Sequence, residues 1–293
     1  DRRIAILATA KADPLNRHPW PAEAIDAYRQ ESVLELADAP EQPWLTDHDN
    51  RRGSLSSFDI ESRTLGNRRT ISLYRPAGFD PADPDTLLLF VFDASEYMSK
   101  VPLPAILDAM IAAKAIPPVV AVFIPNPDRE TRARELPGND DFGDFMAGEL
   151  LPRVLEETGM AARPARTILA GSSYGGLAAA TVALRHPESF GNVLSLSGSF
   201  WWSPPGTPRD RQEYVAATLA EATAPNLRFF LSAGLFESGP HQGTAGILET
   251  NRHLRDILVA KGVPVSYREY AGGHDYLVWR GAISDGLIAL FGR

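Results

Sequence analysis

Six short apolar segments, separated by stretches with helical periodicity, constrain the fold of this 293-residue chain most strongly. They are TLLLFVF (86–92), VVAVFI (119–124), RTILAG (166–171), NVLSLS (192–197), LRFFLSAG (227–234) and VSYREY (265–270). Nearly continuous apolar runs of this length are typical of strands that are buried on both faces, because helices cover both sides of a parallel sheet. The pattern therefore predicts strands at the centre of the molecule.

The stretches between these segments predict helices. Between the last two, Ile247, Leu254 and Leu258 fall on one helical face, and Gly262 provides a stop. Before the first, SFDIES and RRTISLYRP alternate apolar and polar residues around the turn TLGN, which predicts an antiparallel pair at a sheet edge. We therefore expect an α/β fold with a mostly parallel central sheet of about eight strands, flanked by helices on both faces.

The first part of the chain differs in composition from the rest. Residues 1–53 contain several prolines and only short apolar pieces, which predicts an arm or linker that lies over another surface. Residues 54–293 are predicted to form one catalytic domain. The opening segment DRRIAILATAKADP has no signal-peptide pattern, and a removed signal peptide stays an alternative.

Composition excludes several functional classes. The formal net charge is -8 and no basic block occurs, so neither nucleic acid nor an anionic membrane surface is an expected partner. The chain has no cysteine, which excludes thiolate metal sites and cysteine nucleophiles. Because no H-E-x-x-H or comparable spacing occurs, we expect neither a metal site nor a cofactor. A small-molecule substrate remains the expected partner, and the sequence does not indicate an oligomeric state.

The segment GSSYGG stands at the junction between a predicted strand and a helix predicted from about 175 to 186. Gly171, Ser173 and Gly175 satisfy G-x-S-x-G, the turn that exposes a nucleophilic serine above the sheet of an α/β hydrolase. Glycines are needed there because strand and helix approach so closely that a Cβ would collide. A phosphate loop is not expected, since no Lys-Ser or Lys-Thr follows. A tight turn without a catalytic role stays the alternative.

A nucleophilic serine requires a base that an acid orients. His274, in GGHDYLVW, follows the last predicted strand, where an α/β hydrolase carries its base. Glu237 lies in the loop after the preceding strand and completes the order serine, acid, histidine, with a surface glutamate as the alternative. Asp275 is a rival acid, but adjacent side chains in an extended loop point apart. The other histidines, which we expect to be structural or solvated or, at 241, of unassigned role, are His18, His48, His186, His241 and His253.

Three separated segments resemble the enterochelin (enterobactin) esterase family: GSSYGGLAAATVALRHPESFGNVLSLSGSFWW, RARELPGNDDF and GGHDYLVWRGAISDGLIALF. The resemblance covers about residues 65–292. It implies an α/β-hydrolase fold and hydrolysis of the trilactone backbone of ferric catecholate siderophores in the cytoplasm, with the iron arriving on the substrate. The arm resembles the linker after the family's N-terminal β-sandwich, of which only a last strand, RRIAILA, is expected in this sequence.

The resemblance also assigns roles to individual residues. Ser173 and His274 match the family's nucleophile and base, and Glu237 falls in the place of the acid. Arg132, in R-x-x-E-L, resembles an arginine of the substrate pocket, and Arg134 is a neighbouring candidate. Guanidinium groups suit an anion with aromatic rings, because they donate planar hydrogen bonds and stack on rings. A solvated charged loop is the alternative for these arginines.

Two further pairs of residues are predicted to contact the substrate. Trp201 and Trp202 are candidates for stacking on catechol rings, and packing against the core is an equal alternative. The backbone N–H groups of Tyr174 and Ser95 are predicted to bind the oxyanion of the tetrahedral intermediate. The sequence thus predicts a siderophore esterase. A feruloyl or thiol-ester esterase of the same fold and a non-catalytic siderophore-binding protein are the alternatives.

Overall fold

An eight-stranded sheet forms the centre of the computed structural model, which describes residues 15, 19–20, 31–33, 41–45, 52–239 and 245–292. In chain order its strands are β1 (Ser54–Ser62), β2 (Asn67–Arg75), β3 (Leu87–Phe92), β4 (Val119–Ile124), β5 (Thr167–Ser172), β6 (Asn192–Leu196), β7 (Arg228–Gly234) and β8 (Val265–Tyr270). Their spatial order is β1-β2-β4-β3-β5-β6-β7-β8. The β1–β2 and β2–β4 pairs are antiparallel and all other pairs are parallel, which confirms the predicted mostly parallel sheet with an antiparallel edge.

Helices connect the strands. They are α1 (Ala94–Ser99), α2 (Leu103–Ala112), α3 (Arg129–Glu135), α4 (Asp140–Phe145), α5 (Leu151–Thr158), α6 (Tyr174–Arg185), α7 (Tyr214–Glu221), α8 (Ile247–Ala260) and α9 (Tyr276–Phe291). A π-helical turn, Met146–Leu150, joins α4 to α5, and single 3-10 turns occur at Pro43–Leu45, Pro164–Arg166 and Arg209–Arg211. Two short strands, Pro19–Trp20 and Glu31–Ser32, pair outside the central sheet. Within the described ranges, no helix combines the length and the apolar character needed to cross a membrane.

The inner strands β3 to β7 are buried on both faces, as the continuous apolar runs predict. The same prediction for VSYREY is wrong: β8 has no buried residue, because it is the last strand of the sheet and has a neighbour on one side only. In β3 the side chains of Leu88, Phe90 and Phe92 pack with one core cluster, whereas those of the alternate residues pack with another. The first cluster includes residues of α4 to α8, and the second includes residues of α1, α2 and α9. Every residue of β3 is buried, so no position on this strand is left for a polar residue. The predicted helices on both faces are confirmed.

Two predictions about boundaries have different outcomes. NVLSLS was expected to be extended through 197, but β6 ends at Leu196 because Ser197 has a φ of 48° and leaves the extended region. The boundary between an arm at 1–53 and a domain at 54–293 stays a prediction, since most of the arm, including RRIAILA, lies outside the described residues.

The parallel strands place five polar residues at one edge of the sheet. Asp93 follows β3, Ser173 follows β5, Ser197 follows β6, Glu237 lies in the turn after β7, and His274 lies between β8 and α9. Because the carboxyl ends of parallel strands meet at the same edge, residues far apart in the sequence come together there. The three predicted catalytic residues are among these five.

Candidate active site

Ser173 occupies the strained turn that the G-x-S-x-G motif predicts. Its backbone has φ 57° and ψ -120°, a conformation that residues other than glycine rarely adopt. A Cβ on Gly171 would lie 2.6 Å from the carbonyl carbon of Gly175, so the close approach of β5 and α6 requires glycine. The turn is bonded to the next strand and the loop after it: Ser173 N–H donates to the carbonyl of Leu196 at 3.0 Å, and the Ser173 carbonyl accepts from Ser199 N–H at 3.1 Å. The strained turn is confirmed, and catalysis by Ser173 stays a prediction.

Glu237 and His274 are joined by a hydrogen bond between Glu237 Oε1 and His274 Nδ1. The Glu237 side chain is only 2% exposed. Its other oxygen, Oε2, accepts hydrogen bonds from Gly234 N–H at 2.5 Å and from the Ser197 hydroxyl at 2.7 Å. An ionised carboxylate with these partners orients the imidazole so that Nε2 is left to act as a base. The structure thus brings the predicted acid and base together, and the surface-glutamate alternative is wrong.

Asp275, the rival acid, has a structural use. Its Oδ1 accepts a hydrogen bond from Leu277 N–H at 2.7 Å and caps the N-terminus of α9. The other described histidines also lie elsewhere, with His186 Nε2 at 2.9 Å from Asp144 and His253 Nδ1 at 2.7 Å from Glu213. His18, His48 and His241 lie outside the described residues.

The segment 196–199 lies between the serine and the acid–base pair. Leu196 and Ser199 make backbone hydrogen bonds to Ser173, and Ser197 donates to Glu237. The Ser173 hydroxyl is 3.3 Å from the hydroxyl of Ser199, while the imidazole of His274 contacts Glu237. Proton transfer between Ser173 and His274 stays a prediction.

The predicted oxyanion donors lie in the first turns of two neighbouring helices. Tyr174 is the first residue of α6, and Ser95 is an exposed residue in the first turn of α1. A Cβ on Gly175 would lie 3.3 Å from Phe92 Cβ and 3.4 Å from an Asp93 carboxylate oxygen, so the start of α6 packs against the end of β3. The donor roles of Tyr174 and Ser95 stay predictions.

Arg132 binds a buried carboxylate beside the serine turn. Its Nε and Nη2 donate to the two oxygens of Asp93 at 2.6 and 2.8 Å, and Asn126 Nδ2 donates to the same carboxylate at 2.6 Å. Asp93 is 2% exposed. Burial alone would lower the pKa of Arg132, but the hydrogen bonds and charge of Asp93 raise it. The Arg132 side chain is 28% exposed and its guanidinium lies 5.8 Å from the centre of the Tyr174 ring, while its role in substrate binding stays a prediction.

The remaining candidates for substrate contact separate into two groups. Trp201 lies beside the serine turn, with its ring 6.1 Å from that of Tyr174. Trp202 instead packs edge-to-face on Tyr214 at 5.9 Å and contacts the first core cluster. Arg134 is 59% exposed and contacts Thr131 Oγ1 at 3.4 Å. The substrate roles of all three stay predictions, and the contacts of Trp202 favour packing.

Sequence reasoning missed four residues of this edge: Asp93, Ser197, Tyr276 and Trp279. Tyr276 lies near Asp93, and burial together with the negative charge of Asp93 raises the pKa of its hydroxyl. Trp279 contacts Ser197, Tyr276 and His274. Tyr276 and Trp279 lie in the quoted segment GGHDYLVW, but their importance depends on contacts between segments that are far apart in the chain.

Comparison with known proteins identifies the family. Residues 62–290 match the family model described as "Putative esterase", and residues 1–45 match "Enterochelin esterase, N-terminal". The iron(III) enterobactin esterase of Dickeya dadantii is 36% identical in an alignment of 297 positions that covers 96% of this chain, and the chain spans 65% of that relative's length, slightly less than two thirds. The iron(III) enterobactin esterase of Escherichia coli K12 is 32% identical over 98% of this chain and 68% of its own length.

A solved structure is similar over nearly the whole chain. The crystal structure of the enterobactin esterase FES from Shigella flexneri in the presence of enterobactin superimposes with a TM-score of 0.82 at 33% identity, covering 98% of this chain and 71% of that one. The acid–base pair, the strained serine turn and these matches agree, and the chain belongs to the enterochelin esterase family of α/β hydrolases.

Proposed function

We propose that this chain is a serine esterase that hydrolyses the trilactone ester bonds of a ferric catecholate siderophore. The observation that carries the proposal is the strained Ser173 turn at the same sheet edge as the buried Glu237–His274 pair. Relatives named for iron(III) enterobactin and iron(III) salmochelin support the substrate class. The reaction is assigned to the cytoplasm, as the family resemblance implies.

The residues at this edge have defined roles in the proposed reaction. Ser173 Oγ attacks a lactone carbonyl carbon while His274 Nε2 takes the hydroxyl proton, and Glu237 stabilises the imidazolium that forms. Backbone N–H groups of Tyr174 and Ser95 bind the tetrahedral oxyanion, each contributing about 3 kcal/mol of transition-state stabilisation. Collapse breaks the ester C–O bond, and His274 returns the proton to the leaving alkoxide. Water then attacks the acyl-enzyme by the same route and releases a carboxylic acid and Ser173.

The surroundings of Ser173 suit an anionic aromatic substrate. The chain carries a net charge of -8, so any attraction for an anion has to be local. Arg132 and the rings of Tyr174 and Trp201 lie together beside the serine turn, and Arg134 follows on α3. A guanidinium and aromatic faces are complementary to a ferric catecholate. The proposed steps use only side chains and backbone groups of the protein, so they need neither a metal nor an organic cofactor. The iron belongs to the substrate.

Hydrolysis of ferric enterobactin, followed by mass spectrometry of the products, tests the proposal against a feruloyl ester and a simple aryl ester. We expect the trilactone to be preferred, and Ser173→Ala to lower turnover by about 10³-fold or more while ligand binding is retained. Ser195→Ala is the matched control, since it removes a buried hydroxyl from β6. Equal use of the simple esters would identify a general esterase, and binding without turnover by the unaltered protein would identify a binding protein.

A further inference from the structure

We propose that Ser197 and Trp279 are positioning residues for the catalytic pair, and that together they fix the carboxylate of Glu237 and the ring of His274. This inference rests on the proposed function, because it assigns a role in the same reaction. Both residues lie in segments that resemble the family, Ser197 shortly before GSFWW and Trp279 at the end of GGHDYLVW, but the sequence alone gives neither a role. Each acts through another side chain and is not expected to touch the substrate.

The hydrogen-bond direction follows from the chemistry of the groups. Trp279 Nε1 lies 3.0 Å from Ser197 Oγ, and an indole nitrogen can only donate. Ser197 Oγ therefore accepts that bond, and its own proton is directed to Glu237 Oε2 at 2.7 Å. Trp279 and Ser197 are 4% and 1% exposed, so water does not compete for these bonds. Both hydrogen bonds therefore have a fixed direction: the indole donates to the hydroxyl, and the hydroxyl donates to the carboxylate.

The backbone of Ser197 indicates that its hydroxyl is needed. Its φ of 48° lies in the left-handed region, where glycine is the less strained residue. The position is fixed by a hydrogen bond from Ser197 N–H to the carbonyl of Ser232 at 2.8 Å. A serine at such a position carries a conformational cost, and its hydrogen bond to the acid is the function that accounts for the cost.

Trp279 contacts the other half of the pair directly. Its ring lies 4.8 Å from the imidazole of His274 at an interplanar angle of 88°, an edge-to-face arrangement. One side chain therefore restrains the base by ring packing and the acid through Ser197. Because the imidazole becomes charged during the reaction, a carboxylate that is already oriented avoids reorganisation at that step.

Two variants separate positioning from structural support. Ser197→Gly removes the hydroxyl but suits the left-handed backbone, so folding should be preserved. A hydrogen bond to a charged group is lost, and we expect kcat on the trilactone to fall by about 10- to 100-fold with KM changed by less than about twofold. Trp279→Phe keeps an aromatic ring and loses the N–H donor. It should lower kcat by about 3- to 10-fold, and the double variant should be no slower than Ser197→Gly because Trp279 acts on the acid through Ser197.

A spectroscopic readout distinguishes the role from general destabilisation. In the unaltered protein, the His274 Nδ1 proton should give a downfield NMR resonance, which Ser197→Gly should shift and the control Ser195→Ala should not. Wild-type kcat and an unmoved resonance in both Ser197→Gly and Trp279→Phe would overturn the inference. If Ser173→Ala left turnover unchanged, the proposed function would fail instead, so the two failures can be told apart.

Discussion

At the scale of single residues, Glu237 has the most restrictive surroundings in the site. Its carboxylate accepts from Gly234 N–H, from the Ser197 hydroxyl and from His274. In Glu237→Gln the amide oxygen can accept from Gly234 N–H and from the Ser197 hydroxyl only if the amide NH2 group faces His274 Nδ1. That arrangement would force the proton onto Nε2, where the base must be free. We expect kcat to fall by about 10³- to 10⁴-fold, measured on the trilactone with thermal unfolding in parallel.

Asp275→Asn is the matched control for that change, because it alters the neighbouring carboxylate. Asp275 caps α9 through Leu277 N–H, and asparagine is an equally good cap. We expect kcat within about twofold of the unaltered protein. Similar losses in both variants would contradict the assignment of Glu237 as the acid.

The sequence predicts the residues that a motif or a strand end identifies, and misses those that only tertiary contacts select. Ser173 follows from G-x-S-x-G, and His274 and Glu237 follow from their places after the last two strands. Ser197 and Trp279 are 82 residues apart, and no spacing rule connects a serine after β6 with an indole in α9. Their role depends on side-chain directions, which a sequence does not specify.

At the scale of elements, Asp144 connects α4 to the C-terminus of α6. Its two oxygens bind Arg185 Nε and Nη2 at 2.7 and 3.0 Å, and Oδ1 lies 2.9 Å from His186 Nε2. The hydrogen bonds from Arg185, with a further one from His186, lower the pKa of Asp144 from 3.8 to about 2. A lowered carboxyl pKa stabilises the folded state above the unfolded-state pKa, and this contribution is lost as the pH falls toward 2.

Asp144→Asn should therefore destabilise the protein in a pH-dependent way. Because the Asp144 side chain is 42% exposed, solvent screening limits the loss of unfolding free energy at pH 7 to about 0.5 to 1 kcal/mol. In urea titrations the difference from the unaltered protein should persist at pH 5 and narrow at pH 3. Asp140→Asn, which changes a 69% exposed carboxylate near the same Arg185, is the control. A difference that is equally large at pH 3 would exclude the ion pair as its cause.

Elements with a strong burial pattern are predicted closely, and irregular ones are not. The predicted segment at 119–124 matches β4, whose six residues are all buried and leave a clear apolar signal. The segment at 265–270 also matches β8, although none of its residues is buried, because the stop at Gly262 and Pro264 marks where the strand begins. The π-helical turn Met146–Leu150 has no such signal. It precedes Pro152, which cannot donate a backbone hydrogen bond, and the adjustment of the helix around that residue depends on packing.

At the scale of the whole molecule, the segment matched by the N-terminal family model contacts the region matched by the esterase model. Gln42 Nε2 donates to the carbonyl of Leu277 at 3.0 Å, and Arg280 Nε donates to Gln42 Oε1 at 2.6 Å. A Cβ on Gly281 would lie 3.2 Å from Gln42 Nε2, so this side chain lies close against α9. Trp44 and Leu45 pack against the second core cluster. The first turns of α9 lie shortly after His274 in the chain. They contain the residues through which the two matched regions make these contacts.

Gln42→Ala should weaken this contact without unfolding the sheet. Two partly buried hydrogen bonds are lost, which corresponds to about 1 to 2 kcal/mol and a decrease in Tm of about 2 to 6 °C. Hydrogen exchange should become faster at residues 41–45 and in the first two turns of α9, and remain slow in β5 and β6, which are fully buried in the centre of the sheet. Glu41→Ala is the control, because Glu41 is exposed beside Gln42. Unchanged exchange in α9 after Gln42→Ala would show that the segment does not restrain the helix that leads from His274.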